Sequence, residues 1–245
     1  MPHMHAAIVT GVSRGLGAAL AGELLERGFT VLGIGRASTP ALKGERYAFV
    51  RFDLADAARV DDAVTPALES LAQRAPSSVC LLNNAATAGP VGTLGRLAAS
   101  EITSAVVVNL AAVVTLTNLF CRVFADPEMP RRVINVSSGA AQTALPGESV
   151  YCVAKAGMEM LTRALAAEQQ AASFRAITVR PGVIDTDMQV FARSQSPDVL
   201  PSVELFKGFH RDGRLVAPSV VASKIVARLV VGDVEHGRTY SYQEL

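Results

Sequence analysis

Tyr151 and Lys155 stand four residues apart in the run Tyr151-Cys152-Val153-Ala154-Lys155, and on a helix that spacing puts the phenol and the ammonium on one face. A free phenol, with a pKa of about 10, is a poor acid–base catalyst at neutral pH, whereas a nearby cation favours the phenolate and lowers that value. Such a pair can exchange a proton with a bound molecule. The spacing alone is common, and a surface tyrosine beside a lysine is the plain alternative. Its company gives it weight: Ser137-Ser138 ends a β-branched run, Ser138 lies thirteen residues before Tyr151, and a glycine-rich turn opens the same chain.

That turn is Thr10-Gly11-Val12-Ser13-Arg14-Gly15-Leu16-Gly17. Three glycines let a chain turn sharply and approach a pyrophosphate closely, and a helix starting behind them offers unpaired N–H groups and a positive dipole end. The spacing is GxxxGxG, which departs from the usual GxGxxG, and an ordinary strand-to-helix turn is the competing reading. Its place after a first strand favours a dinucleotide. Nineteen residues beyond Gly17 the chain has Arg36, where a binder of unphosphorylated dinucleotide would carry a carboxylate for the adenosine ribose. An arginine fork suits the 2′-phosphate of NADP, and Arg14 would bring a second positive charge to the same side. The expected cofactor is NADP(H) rather than NAD; the alternative is that both arginines only solvate loops.

These groups need strands that end at one edge and helices that carry the chain back. Short β-branched runs alternate with Ala/Leu-rich segments of helical spacing, the pattern of parallel strands joined by helical crossovers. Strands are predicted near residues 6–10, 30–34, 48–52, 79–83, 133–137, 176–180 and 238–242. The first crossover helix reads from Leu16, Leu20, Leu24 and Leu25 and stops at Gly28. The fold expected is α/β: a single Rossmann-type doubly wound parallel sheet of about seven strands with helices on both faces, one domain over residues 1–245. Right-handed crossovers gather ligands at the carboxyl ends of the strands, at the topological switch point, so functional residues should sit just after strands.

Composition narrows the function classes. Half of the 245 residues are hydrophobic and 18% are charged, a balance far from that of disordered chains. Lys plus Arg (23) against Asp plus Glu (22) leaves +1, with no excess charge for a nucleic-acid backbone or an anionic membrane, so neither partner is expected. Cys80, Cys121 and Cys152 have no CxxC spacing and are odd in number. Neither a disulfide framework nor a zinc site is indicated, which fits a reducing, cytoplasmic setting. Cys152 reads as a small buried residue rather than a redox sensor. His3, His5, His210 and His236 are scattered, without the spacing of a metal site, and no metal is expected. Residues 1–10 carry no secretory signal. The longest apolar stretch, 105–116, is interrupted by Asn109 and falls short of the roughly 20 residues a bilayer needs.

As an ordered set the motifs resemble the short-chain dehydrogenase/reductase family over nearly the whole chain. Residues 10–17 look like its glycine motif, and Asn83-Asn84-Ala85 like its NNAG motif with Ala86 replacing the glycine. Asn109, Ser138, Tyr151, Lys155 and the run Pro181-Gly182-Val183-Ile184-Asp185-Thr186 continue the match. Gly147, Tyr151-Cys152 and Asp185-Thr186-Asp187-Met188-Gln189 look most like the sepiapterin and benzil reductase branch, which reduces carbonyls with NADPH. The resemblance implies Tyr151 as general acid and Ser138 as donor to the substrate carbonyl oxygen. It implies that Lys155 lowers the phenol pKa and holds the nicotinamide ribose, and that Asn109 holds a water linking Lys155 to solvent. It also implies cofactor contacts along Gly11, Ser13, Arg14, Gly15, Leu16 and Gly17, with Arg36, with Asp53 and Leu54 at the adenine, and with Asn83 and Ala85 along the adenosine ribose. Pro181 and Gly182 lead to Val183 and Thr186 at the nicotinamide carboxamide. Two of these residues have local alternatives: Asp53 can cap a helix starting near Ala55, and Asn109 can be a buried polar residue that bonds locally.

The activity this implies is NADPH-dependent reduction of a ketone or diketone, with a hydrophobic or aromatic carbonyl compound as substrate. Sepiapterin-type side-chain reduction, 3-oxoacyl thioester reduction and a catalytically silent NADP sensor are the alternatives. Against the sensor stands the complete set Ser138, Tyr151, Lys155 and Asn109. Against pterin, the position matching the pterin-anchoring aspartate is Ser241, with Glu244 or Glu204 as substitutes; against a carrier-protein thioester, no basic patch is evident. Residues 188–216 are expected to form a substrate lid, with Phe191, Leu200, Leu205, Phe206 and Phe209 as its apolar inner face. A surface helix packed on the core is the equal alternative. The resemblance further implies a homodimer or homotetramer that pairs the helices around Asn109 and Tyr151. Ala154, Ala156, Gly157 and Met160 would either permit that approach or pack inside the subunit.

Overall fold

The computed structural model describes residues 4–245; His3 and the first positions of the 1–10 start lie outside the described residues. Seven strands, β1 (His5–Thr10), β2 (Thr30–Gly35), β3 (Tyr47–Arg51), β4 (Ser78–Asn83), β5 (Arg131–Val136), β6 (Phe174–Arg180) and β7 (Thr239–Ser241), form one sheet in the order β3-β2-β1-β4-β5-β6-β7. All pairs are parallel. Eight α-helices cover the sheet among the described residues: α1 (Gly15–Glu26), α2 (Val60–Gln73), α3 (Ala99–Val106), α4 (Ala112–Val123), α5 (Ser149–Glu168), α6 (Asp187–Arg193), α7 (Val203–Arg211) and α8 (Pro218–Ile225). The chain leaves β1 toward β2 and returns through β4 on the other side, so the switch point lies between the carboxyl ends of β1 and β4.

The sheet is buried on both faces. Ala7 and Val9 join the core under α1 and α8, whereas Ala6 and Ile8 join the core under α2 and α4. A strand covered on both sides has no polar face, so it reads as a short continuous apolar run, and the seven runs predicted strands where strands occur. In α1, Leu16, Leu20 and Leu24 are buried, and Gly28 at φ +88° lets the chain leave the helix.

Two expectations are corrected here. A turn of π-helix at Val107–Ala111 joins α3 to α4, and the resulting helix Ala99–Val123 has the length and, at 1.9, the hydropathy of a membrane span, unlike the shorter stretch read from sequence. Its Ala112, Leu116, Leu119 and Phe120 are packed into the core against the sheet, the place of a core helix. In the 188–216 segment, Leu200 and Phe206 are buried with Val203, and Phe209 packs on them, but Phe191 and Leu205 are exposed. The segment contains two helices, α6 and α7, with Leu200 between them, and three of the five apolar side chains face inward while two face outward. Its base is pinned where Ile184 bridges Val216.

Candidate active site

The turn after β1 is shaped by its glycines. Gly11 and Gly15 have φ of +77° and +57°, conformations that side chains disfavour. A Cβ on Gly17 would lie 2.2 Å from the Gly11 carbonyl oxygen and 2.4 Å from Asn84 Nδ2. The Thr10 hydroxyl accepts hydrogen bonds from the backbone N–H groups of Asn84 and Ala85, both at 2.9 Å, tying the end of β1 to the end of β4. Helix α1 then starts with no side-chain cap and no acidic residue in its first turn. A close-packed turn under a helix N-terminus free of carboxylates fits a dinucleotide pyrophosphate.

Ser138, just past β5, caps a short 3₁₀ turn, its Oγ accepting from Ala140 N–H at 3.2 Å. The same hydroxyl lies near enough to the phenol of Tyr151 to favour its ionised form. One turn along α5, Lys155 is 2% exposed; its Nζ lies 5.5 Å from the Tyr151 ring centroid and donates to the Val136 carbonyl at 2.7 Å. Sequence spacing predicts that this ammonium lowers the phenol pKa. The structure shows the opposite balance: burial, and after it the charge of Glu148, push the phenol above its ordinary value, while the Ser138 hydroxyl pulls the other way. Burial likewise pushes Lys155 down to about 8. The ammonium is engaged by Val136, and both groups share one desolvated site, so neither gains what the pair would have in isolation. Such a phenol keeps its proton at neutral pH and releases it less readily than a free phenol would.

Beneath this edge the sheet carries polar groups that sequence reading missed. Glu159, one turn past Lys155, accepts from Arg180 Nε and Nη2 at 2.8 and 2.7 Å and from the Ser137 hydroxyl at 2.9 Å. This clamps α5 to the ends of β5 and β6. A second buried chain runs from Asn83 to Asn135 at 2.9 Å, on to Thr162 at 2.9 Å and to Thr178 at 2.7 Å. The signal for both was a polar residue recurring inside apolar strands and on the inner face of α5.

Several predicted contacts need revision. The Asn83 side chain is used inside the protein, where it also donates to Thr117, so what it can offer a ribose is backbone. Asn109 sits in the π turn and bonds Thr87, accepting from its N–H at 2.8 Å and donating to its carbonyl at 2.9 Å, so the side chain holds that loop in place. Arg14 pairs with Asp187 at the start of α6 at 2.8 Å, where Thr186 lies over Gly15. Arg36 stays exposed at the end of β2 and makes no ion pair among the described residues. Asp53 caps the following 3₁₀ turn through Ala55 N–H at 3.0 Å, with Leu54 buried beside it. Ser13 is exposed, Leu16 is buried, and Ala85 lies against Gly11. Pro181 is buried, Gly182 abuts Tyr242, and Val183 and Thr186 are partly exposed on the same edge.

A cavity of about 740 Å³ at the opposite edge of the sheet includes Arg27, Arg131, Arg132 and Arg175. It is a basic patch that the sequence did not reveal, but three of these arginines hold backbone carbonyls of Phe124, Leu229, Gly232, Ala172 and Phe174. Near the catalytic edge, a cavity of about 530 Å³ opens between Thr87, Val91, α3 and Phe191. Glu244 is bound by Ser241 and Arg238, and Glu204 by Lys207, so neither substitute for a pterin anchor is free. Among the described residues no cluster suits a metal ion.

The profile of the short chain dehydrogenase family matches residues 5–197. The chain belongs to that family. Its members use nicotinamide cofactors, and the protein is an oxidoreductase with their fold. It is 33% identical over 239 residues to a benzil reductase ((S)-benzoin forming) of Bacillus subtilis (strain 168), covering 97% of this chain and 98% of that one. It is 32% identical over 240 residues to a sepiapterin reductase of Mus musculus, covering 91% and 90%. A 3-oxoacyl-[acyl-carrier protein] reductase from Brucella melitensis, solved in complex with NAD, superposes with a TM-score of 0.80 at 25% identity, covering 99% and 96%.

Proposed function

We propose that this oxidoreductase is an NADPH-dependent carbonyl reductase acting on hydrophobic or aromatic ketones and diketones. The observation that carries the reading is a half-buried, protonated phenol at Tyr151, beside Ser138 and one turn from Lys155, on the strand edge where the glycine turn opens. The likeness to benzil reductases supports the substrate class. When bound, the nicotinamide supplies the hydride. Tyr151 gives its proton to the carbonyl oxygen, and Ser138 stabilises the charge developing there. Lys155 holds the nicotinamide ribose and faces the phenol. Positioned acid catalysis contributes on the order of 10² to 10⁴ in rate, and an oxyanion donor about 10² to 10³. Arg36 takes the 2′-phosphate, and residues 188–216 form the substrate lid. The free thiols of Cys80, Cys121 and Cys152 suit a reducing, cytoplasmic compartment.

The test is loss of NADPH absorbance with benzil, aromatic monoketones, sepiapterin and an acetoacetyl thioester. Turnover of the diketone or aromatic ketones, with NADPH preferred over NADH by about tenfold or more and that preference reversed by Arg36→Asp, is expected from the charge at the 2′ position. Tight NADPH binding without turnover of any carbonyl would mean a sensor instead.

A further inference from the structure

Glu148 is 7% exposed, and no hydrogen bond or ion pair satisfies its carboxyl among the described residues. It is the N-cap of α5, three residues before Tyr151 and seven before Lys155, at the start of the turn that carries the phenol. The turn that carries it lies where the loops leaving β4, β5 and β6 meet. Gly92 N–H donates to the Gly147 carbonyl at 2.8 Å, and Ser202 N–H to the Pro146 carbonyl at 3.3 Å. A Cβ on Gly147 would come within 3.2 Å of Leu200 Cα. The neighbouring wall is apolar, built from Leu200, Val203, Val91 and Leu145. Burial alone pushes the carboxyl up to about 7, and its charge, when present, acts on Tyr151.

A mostly buried carboxyl with no protein partner becomes selective once a ligand supplies a bond that the protein does not. A protonated carboxyl has one O–H to donate. We propose that Glu148 is a specificity-determining residue for 1,2-dicarbonyl substrates: its carboxyl O–H donates a hydrogen bond to the second carbonyl oxygen while Tyr151 and Ser138 hold the first. The inference rests on the carbonyl-reductase reading. The side chains of an N-cap residue and of the third helical residue lie within mutual reach at a helix start, which suits two neighbouring carbonyls rather than two distant ones. A monoketone of the same shape leaves the O–H unpaired.

The experiment compares benzil with deoxybenzoin, the same skeleton with CH₂ in place of one carbonyl, as the ratio of their kcat/KM values. The ratio is expected to fall about 10- to 100-fold in Glu148→Leu and Glu148→Ala and to be largely restored in Glu148→Gln, whose amide keeps a donor. Either truncation that folds decides the matter. A ratio unchanged by truncation, or one that Glu148→Gln fails to restore, overturns the inference in an enzyme that still reduces ketones. Absence of turnover with both ketones in the unmodified protein overturns the carbonyl-reductase reading itself, and this inference with it.

Discussion

Burial moves Glu148 and Lys155 in opposite senses, and the consequence for stability follows from their proton counts. Glu148 rises from 4.5 to about 7, so between those values the folded chain holds a proton that the unfolded chain has released. Stability therefore falls as pH rises through that window. Lys155 drops from 10.5 to about 8; there the unfolded chain binds the extra proton, and stability rises with pH from about 8 upward. Each shift corresponds to roughly 3 kcal/mol. Near pH 7 to 8 the protein carries most of both costs, a strain placed at its catalytic edge. Glu148→Gln should raise the thermal midpoint at pH 8 and lose most of that gain by pH 5, as read by calorimetry at the two values. An equal shift at both would contradict the burial of an ionising carboxyl. Tyr151, Ser138 and Lys155 were legible in sequence because their spacing is local. The balance of their pKa values was not, since desolvation depends on which loops close over them.

At the scale of elements, α5 carries Tyr151 and Lys155, the side chains proposed to act on substrate and cofactor, and is fixed by Glu159, which joins Arg180 at the end of β6 and Ser137 at the end of β5. Both partners are largely buried, at 12% and 20% side-chain exposure. Removing one member of such a pair leaves the other charge unmatched, at a cost of about 3 kcal/mol, and a domain of this size loses about 2–4 °C per kcal/mol. Glu159→Gln is expected to lower the thermal midpoint by about 6–12 °C and to reduce kcat, because Ser138 is the next residue after Ser137. An unchanged midpoint would show that the clamp is idle. The seven strands and the first helix could be read from apolar runs and leucine spacing, which are properties of contiguous residues. The Glu159–Arg180 clamp joins residues 21 apart, and the π turn that aims Asn109 at Thr87 is a shift of backbone register; neither leaves a contiguous pattern.

At the scale of the whole molecule, the sheet order brings the ends of β1, β4, β5 and β6 to one edge, and every group assigned to the chemistry lies there. The class of fold was legible because the alternation of runs is global. The pairing of Arg14 with Asp187 was not, since it depends on how the segment after β6 crosses the glycine turn. The outer face of the catalytic helices has a consequence for assembly. Ala154 is buried and Gly157 packs on Leu110 within the subunit, but Val153, Met160 and Val114 are exposed. Apolar side chains clustered on long helices suit pairing with a second copy, and Val153→Glu with Met160→Glu should yield a smaller species by sedimentation than the unmodified protein. The same mass for both would remove that interface. The most direct measurement is on Tyr151→Phe, with NADPH affinity followed by fluorescence and carbonyl reduction by absorbance. Loss of about 10² to 10⁴ in kcat with NADPH binding retained is predicted, whereas undiminished turnover would mean that another group supplies the proton.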